Sequence, residues 1–478
     1  MVPGCSQRVT MNDRMQKLDP AQMTEIHNAS MELLCGTGVV INEKEALSIF
    51  RKNGYRVEGK TVFPTEKQII KAIETVPSTF TIEARNPKKN VTIGENNYAF
   101  LPGYGAPYII TPHGEQRNAT MEDYDTFCKL VHTSRYLDMN GWMMVKPSDM
   151  PPSAVHMDMM LSNILLCDKP FMGSPTSREG VLDGIEMAGI LWGGKSKIID
   201  RPVSISLIST LSPLQYSDTM MASLIELARN GQACIVNSFI MPGNSRPATL
   251  AGVLALQNSE ILTGIALSQL VRRGAPVVYG STSSIMDGTT DELSIGAPEL
   301  SKHVTCTAQM AGFYSIPSRS GGALTDSLYP DAQAGAESAL ALYTAARNGI
   351  NVILHACGIL GSYTAMSFEK FLIDEEVCGM VRQMLLSTDI GKTCHIQDKK
   401  NKTYQKSFKF CQTEHFLPDL MARTNYDGWS TSGKKKIHEI ADDQLTQRLA
   451  KYEKPDIDPA IEHELTEYVN RRKNGQAF

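Results

Sequence analysis

Ten cysteines are spread over 478 residues and no two of them form a C-x-x-C pair, which leaves no disulfide framework and no structural zinc module to build on. Most of these thiols are expected to be buried. The glycine fingerprints of nucleotide-binding folds are also missing: the chain has no P-loop and no G-x-G-x-x-G between a strand and a helix. Basic character is lacking too. The net charge is -4, and no basic stripe carries interleaved aromatics, so nucleic acid is not an expected partner. The N-terminus, MVPGCSQRVTMNDRMQKLD, has no apolar signal core, and no later apolar stretch reads as long enough to span a bilayer. The expectation is a cytoplasmic protein without membrane association.

What is present is ordinary globular material, 42% hydrophobic and 21% charged, in a chain long enough for one large barrel with appendages. Apolar, β-branched segments recur at 137–145 (LDMNGWMMV), 170–177, 202–210, 233–241, 276–284, 315–322 and 351–358 (NVILHACG). They start roughly 30 to 40 residues apart, the length of a β-helix-β unit. Helical patterns such as LQYSDTMMASLIELARNG lie between them and end at glycines that can terminate a helix. An eighth segment, SFKFCQT (407–413), follows another helical pattern. Eight strands alternating with helices predict an α/β fold, a (β/α)8 TIM barrel over residues 121–430. Residues 1–120 read as an N-terminal α+β cap whose last strand is YAFLPGYGAPYIIT (98–111), and 431–478 as a C-terminal helical tail. With no Gly/Ser linker, one compact unit is expected.

Active sites of such barrels are built at strand C-termini. Those ends carry Trp142, Thr176, Ser209, Thr210, Asn237, Ser238, Ser281 to Ser284, Ser318 to Ser320, His355 and Cys357. The rim is rich in hydroxyls and poor in carboxylates, which argues against a divalent-metal site and against a two-carboxylate glycosidase. His355 and Cys357 stand two apart, so on a strand both would share a face. Metal ligands, substrate contacts and filling are all open for this pair.

Gly321-Gly322-Ala323-Leu324-Thr325-Asp326-Ser327, followed by Pro330-Asp331-Ala332-Gln333-Ala334-Gly335 and Glu337-Ser338, resembles the strongest signature of the trimethylamine methyltransferase (MttB) superfamily. Further matches follow at Leu354-His355-Ala356 with Gly358, at Ser367-Phe368-Glu369-Lys370 and Asp374-Glu375, and upstream at Gly103-Tyr104-Gly105-Ala106-Pro107. Tyr426, Trp429 and Asp458-Pro459-Ala460 extend the likeness through the tail. The resemblance implies a barrel methyltransferase that moves a methyl group from a methylated amine to the Co(I) of a separate corrinoid protein. Members acting on trimethylamine carry pyrrolysine, and this sequence has only standard residues, so it looks like the non-pyrrolysine branch. That branch acts on quaternary amines, with glycine betaine heading the expected substrates and dimethylglycine as product. No cofactor is expected to be tightly bound, because the corrinoid arrives on its partner protein. Barrels of this size often associate, so a homo-oligomer is a further expectation.

A quaternary ammonium leaves as a neutral amine, so transfer needs proximity and orientation more than a general acid. An N-trimethyl group favours aromatic faces. Candidates are Phe100, Tyr104, Trp142, Tyr329 and Phe368, while Arg319, His355 and Ser318 could receive a carboxylate. Each has a structural alternative. Tyr104 and Trp142 could seal the junction of cap and barrel. Arg319 could pair with Asp326 or Glu337. Asp326 and Asp331 read as turn or N-cap residues ahead of the helix that holds Gln333 and Glu337, and Glu369 could complement a helix dipole. A zinc site for thiol methyl transfer would need a third ligand beside His355 and Cys357, from Cys378, Cys394 or Cys411. In the superfamily the Cys357 position is typically small, which favours His355 as cavity lining and Cys357 as packing. A non-catalytic module that binds a quaternary amine and docks with a corrinoid protein is the remaining alternative.

Overall fold

The computed structural model describes residues 14–152, 154–241, 247, 249–386 and 415–475. Seven parallel strands form its central sheet: β1 (Ala99–Phe100), β2 (Phe171–Met172), β3 (Ser204–Ser209), β4 (Ala233–Ser238), β5 (Val277–Ser281), β6 (Ser318–Arg319) and β7 (Val352–Ile353). The register runs Ser204 to Phe171, Ile205 to Ala233, Cys234 to Val277, Tyr279 to Ser318, Arg319 to Val352 and Val352 to Ala99. Residues 138–140 close the ring. Asp138 N–H donates to Phe100 O at 3.0 Å, Asn140 N–H to Pro170 O at 2.7 Å and Met172 N–H to Asn140 O at 3.1 Å. Eight staves therefore surround one axis, as a TIM barrel requires.

The ring begins one element earlier than the sequence rhythm suggested. Ala99–Phe100 lies in the segment expected to end the cap, yet it is a barrel stave between β7 and residues 138–140. The expected eighth strand at 407–413 lies outside the described residues, and eight staves are complete without it. Ala99–Phe100 is only two residues long and stands ahead of the repeating segments, whereas the equally short staves at 171–172, 318–319 and 352–353 lie inside segments that the rhythm marks.

A helix follows every stave: α1 (Met121–Thr133), α2 (Val155–Leu166), α3 (Arg178–Trp192), α4 (Asp218–Arg229), α5 (Leu250–Val271), α6 (Pro298–Phe313), α7 (Ala332–Arg347) and α8 (Phe368–Leu385). Thr120, Ser177, Ser217, Thr249, Asp331 and Ser367 accept from backbone N–H groups in the first turns of six of them. Helix α5 corrects one expectation, being long and apolar enough to cross a membrane by length and composition; in the fold 83% of that stretch is buried. Its apolar surface on all sides reflects a place between the barrel, the N-terminal elements and its neighbouring helices.

Two small sheets position the barrel mouth. Tyr108–Ile110 and Gln116–Asn118, which follow β1, join Ile359–Leu360 and Ala365–Met366, which follow β7, with Ala365 opposite Tyr108. This ties the loop bearing Tyr104 to the loop bearing Tyr363. Val39–Ile41 pairs with Gln215–Tyr216 beyond β3. In the tail, Arg448 binds Glu375 of α8, and Tyr468 and Arg472 bind Asp183 of α3 at 2.7 Å each.

Candidate active site

Strand parity decides which side chains enter the barrel. Outward residues such as Val236 and Tyr279 pack in the helix layer, whereas Ile235, Val278 and Val352 take the same face as Arg319 and share one cluster. Arg319, at the C-terminal end of β6, is fully buried on the inner side. Its strand neighbour is Gly280, and this absence of a side chain opens the path across β5. The guanidinium uses it, donating from Nη1 to Asn237 Oδ1 at 3.1 Å and to Ser281 O at 3.0 Å. A Cβ on Gly280 would stand 2.6 Å from Ile235 Cγ2 and 3.2 Å from Asn237 Oδ1. Gly280→Ala is therefore expected to displace Asn237 and Arg319, to lower kcat/KM at least about 10-fold and to cost about 1 to 3 kcal/mol of stability; steady-state kinetics beside denaturant unfolding checks this.

Arg319 has no carboxylate within ion-pair distance among the described residues. The acids considered as its partners are engaged elsewhere. Asp326 accepts from Ser294 Oγ, Ile295 N, Gly296 N and Ser362 Oγ, and Glu337 from Thr325 Oγ1, Asp326 N and Gln333 Nε2. Burial brings the Arg319 guanidinium down to about 10, so it remains a cation at neutral pH. Its Nη2 lies 3.5 Å from His355 Nδ1. Burial, and then the Arg319 charge, hold His355 well below its ordinary range, so the neutral ring can accept that bond. Arg319 Nε and Trp142 Nε1 are both buried and have no hydrogen-bond partner among the described residues.

Rings surround this cation. Tyr104 is 6.3 Å from Trp142 and 6.4 Å from His355, and His355 is 4.8 Å from Tyr363. Tyr104 and Tyr363 keep partial solvent contact, yet burial pushes both phenols up, Tyr363 to about 12. Rings that are wetted but poorly solvated line a deep recess rather than an outer surface. Ser209 and Thr282, at the ends of β3 and β5, also keep partial exposure, and Asn237 Nδ2 donates to Thr282 Oγ1 at 2.8 Å.

The structure brings Tyr104, Trp142, Arg319 and His355 together and places four other candidates elsewhere. Phe100 points outward, with the Arg382 guanidinium of α8 5.0 Å from its ring centre. Ser318, one residue before Arg319, turns to Asn351 Oδ1 at 3.3 Å, as alternation dictates. Tyr329 donates to Pro112 O at 2.8 Å and meets His438 edge-on at 5.8 Å, and Phe368 packs 4.6 Å from Phe127 between α8 and α1. Asp331 caps α7, accepting from Ala334 N at 2.9 Å. Glu369 accepts from Ser367 Oγ and is held above the usual carboxylate range by burial.

His355 and Cys357 do not share a face. The strand ends at Ile353, and His355 adopts a φ of +65°, which breaks the alternation. Cys357 Sγ instead lies 4.0 Å from Cys378 Sγ, behind the site. No group of three His, Cys, Asp or Glu converges as metal ligands among the described residues, and Cys394 and Cys411 lie outside them. Of the seven described cysteines, six are buried and Cys35 is exposed.

Two participants gave little sequence signal. Tyr363 sits in an irregular loop, and its only pointer was its place between Gly358 and the Ser367-Phe368-Glu369-Lys370 motif. Glu260, a lone acid in the apolar helix α5, accepts from Thr210 Oγ1, Ser212 Oγ, Ser238 Oγ and Leu214 N at 2.6 to 2.8 Å. Thr210 and Ser238, which looked like rim donors, are thereby committed to this carboxylate.

The trimethylamine methyltransferase (MTTB) family model matches residues 4–477. A glycine betaine methyltransferase of Desulfitobacterium hafniense (strain Y51) is 40% identical over 459 residues, 94% of this chain and 96% of that protein. A proline betaine:corrinoid methyltransferase of Eubacterium limosum is 31% identical, covering 93% of this chain and 95% of its own length. Among solved structures, the hydroxylamine complex of MtmB aligns with a TM-score of 0.52 at 12% identity, covering 92% of this chain and 90% of that one. That likeness bears on the fold alone.

Proposed function

Because this chain belongs to the trimethylamine methyltransferase family and is a corrinoid-dependent methyltransferase, we propose that it demethylates glycine betaine to dimethylglycine, passing the methyl group to the Co(I) of a separate corrinoid protein. The single observation that carries the substrate is Arg319, a buried cation with no carboxylate partner among the described residues, beside the rings of His355, Tyr104 and Tyr363. A betaine offers the complementary pair, a carboxylate for the guanidinium and a trimethylammonium for the rings. Arg319 holds the carboxylate through charge-assisted bonds. Tyr104, Trp142 and Tyr363 hold the ammonium, each face worth about 0.5 to 2 kcal/mol.

Held at both ends, the substrate presents one methyl carbon to the mouth of the barrel. A reduced corrinoid reaching that mouth supplies the Co(I) nucleophile and accepts the methyl. Leu211, 50% exposed just beyond β3, and Leu328, 72% exposed beyond β6, give that face apolar points for a protein partner. His355 is neutral and the leaving group is a neutral amine, so this chain supplies orientation and water exclusion rather than a proton. The reducing conditions that Co(I) requires fit a cytoplasmic setting.

The test is anaerobic methyl transfer to cob(I)alamin, followed by absorbance, with glycine betaine, carnitine, choline or trimethylamine as donor. Methylcobalamin should form with glycine betaine and not with trimethylamine. Turnover with choline as fast as with glycine betaine would contradict the carboxylate assignment.

A further inference from the structure

Residues 361–363 run through three successive left-handed conformations, with φ +53° at Gly361, +54° at Ser362 and +75° at Tyr363. Glycine tolerates this; serine and tyrosine do not without support. Beside a backbone bond from Gly361 N to Ser327 O at 2.8 Å, the side-chain support from the neighbouring loops comes from Asp326. Its Oδ1 accepts from Ser362 Oγ at 2.7 Å and from Ile295 N at 2.7 Å, and its Oδ2 from Ser294 Oγ at 2.6 Å and Gly296 N at 2.9 Å. One carboxylate thus joins the loops that follow β5, β6 and β7. Its own backbone is fixed in turn, since Asp326 N donates to Glu337 Oε2 at 2.9 Å and Ser362 N donates to Thr325 O at 3.2 Å. Asp326 lies between a cleft of about 690 Å³, lined also by Glu292, Leu328 and Thr364, and the loop whose next residue, Tyr363, stands 4.8 Å from His355.

We infer that Asp326 is a positioning residue, which through Ser362 holds Tyr363 in place as the seventh-stave wall of the substrate recess. The inference rests on the betaine reading for its ligand and on this loop geometry alone for its mechanics. Asp326 touches neither Arg319 nor the rings themselves; it acts by keeping a strained loop in one conformation. An aromatic wall that is pre-set costs no ordering when the ammonium arrives.

The decisive variant is Ser362→Ala, which removes only the tie between Asp326 and the Tyr363 loop. Glycine betaine titrated calorimetrically should bind Tyr363→Ala roughly 10-fold more weakly than wild type and Ser362→Ala roughly 5-fold more weakly. In the Tyr363→Ala background, Ser362→Ala should add no further loss, because the residue it positions is gone. Hydrogen exchange of the unliganded protein should quicken across residues 361–364 in Ser362→Ala and in Asp326→Asn, with the barrel strands unchanged. Equal losses from Ser362→Ala in both backgrounds, or unchanged exchange in that loop, would overturn the inference. Failure of wild type to bind glycine betaine would count against the betaine reading, and the exchange result would still decide the clamp.

Discussion

Arg319→Met is expected to stabilise the unliganded protein while removing its affinity for betaines. Arg319 is fully buried, burial lowers its pKa to about 10, and among the described residues its partners are neutral. A buried charge without a counter-ion costs folding free energy, and an apolar side chain of similar length avoids that cost. A gain of about 1 kcal/mol in denaturant unfolding is expected, toward the low end of the roughly 1 to 4 kcal/mol seen when buried ion pairs are replaced by apolar groups, because Asn237 Oδ1 and Ser281 O also lose a donor. Binding should move the other way. Leaving the substrate carboxylate without its partner costs about 2 to 5 kcal/mol, a loss of roughly 30-fold to several thousand-fold. A residue kept for structure would lose stability when replaced, so the opposite signs separate the two roles.

The second large effect is expected behind the site. Lys370 and Asp374 form a fully buried ion pair one turn apart on α8, with Lys370 Nζ also donating to Ser338 Oγ at 2.8 Å. Asp374 accepts from Gly358 N at 2.8 Å, which anchors the turn that carries His355 and Cys357. Burial raises its carboxyl to about 6 even with the lysine present. Lys370→Met should therefore destabilise by about 3 to 5 kcal/mol, because it leaves an uncompensated buried carboxylate. The sign of the pH dependence follows from the raised folded value: folding of the variant takes up a proton at Asp374, so its stability deficit should shrink as pH falls from neutrality through 6. Lys370→Met combined with Asp374→Leu should recover much of the loss, as a double-mutant cycle by urea unfolding would show.

How much of this was legible in the sequence depends on length and conformation. The runs at 204–209, 233–238 and 277–281 are long and β-branched, and they announce buried parallel strands. Ala99–Phe100 is two residues long and lies ahead of the repeating β-helix-β rhythm, inside the segment 98–111, which is why it reads as cap and a later segment takes its place. Arg319 was legible from its place at a strand end, because parity and a neighbouring glycine aim it inward. Phe100 and Ser318 were misplaced by the same parity, each standing one residue out of phase with an inward position. Tyr363 was not legible, since three left-handed residues in a row obey no periodicity. His355 and Cys357 seemed to share a face only while the strand was assumed to continue past Ile353.

Whether Arg319 reads a carboxylate is tested most directly by one calorimetric comparison. Glycine betaine and choline share a trimethylammonium group and differ at the other end, a carboxylate against a hydroxyl. Titrated into the wild-type protein, glycine betaine should bind about 100-fold more tightly than choline or better, as expected where one ligand makes a buried charge-assisted bond that the other lacks. Equal affinities would contradict it, because Arg319 would then stand in the recess without a task.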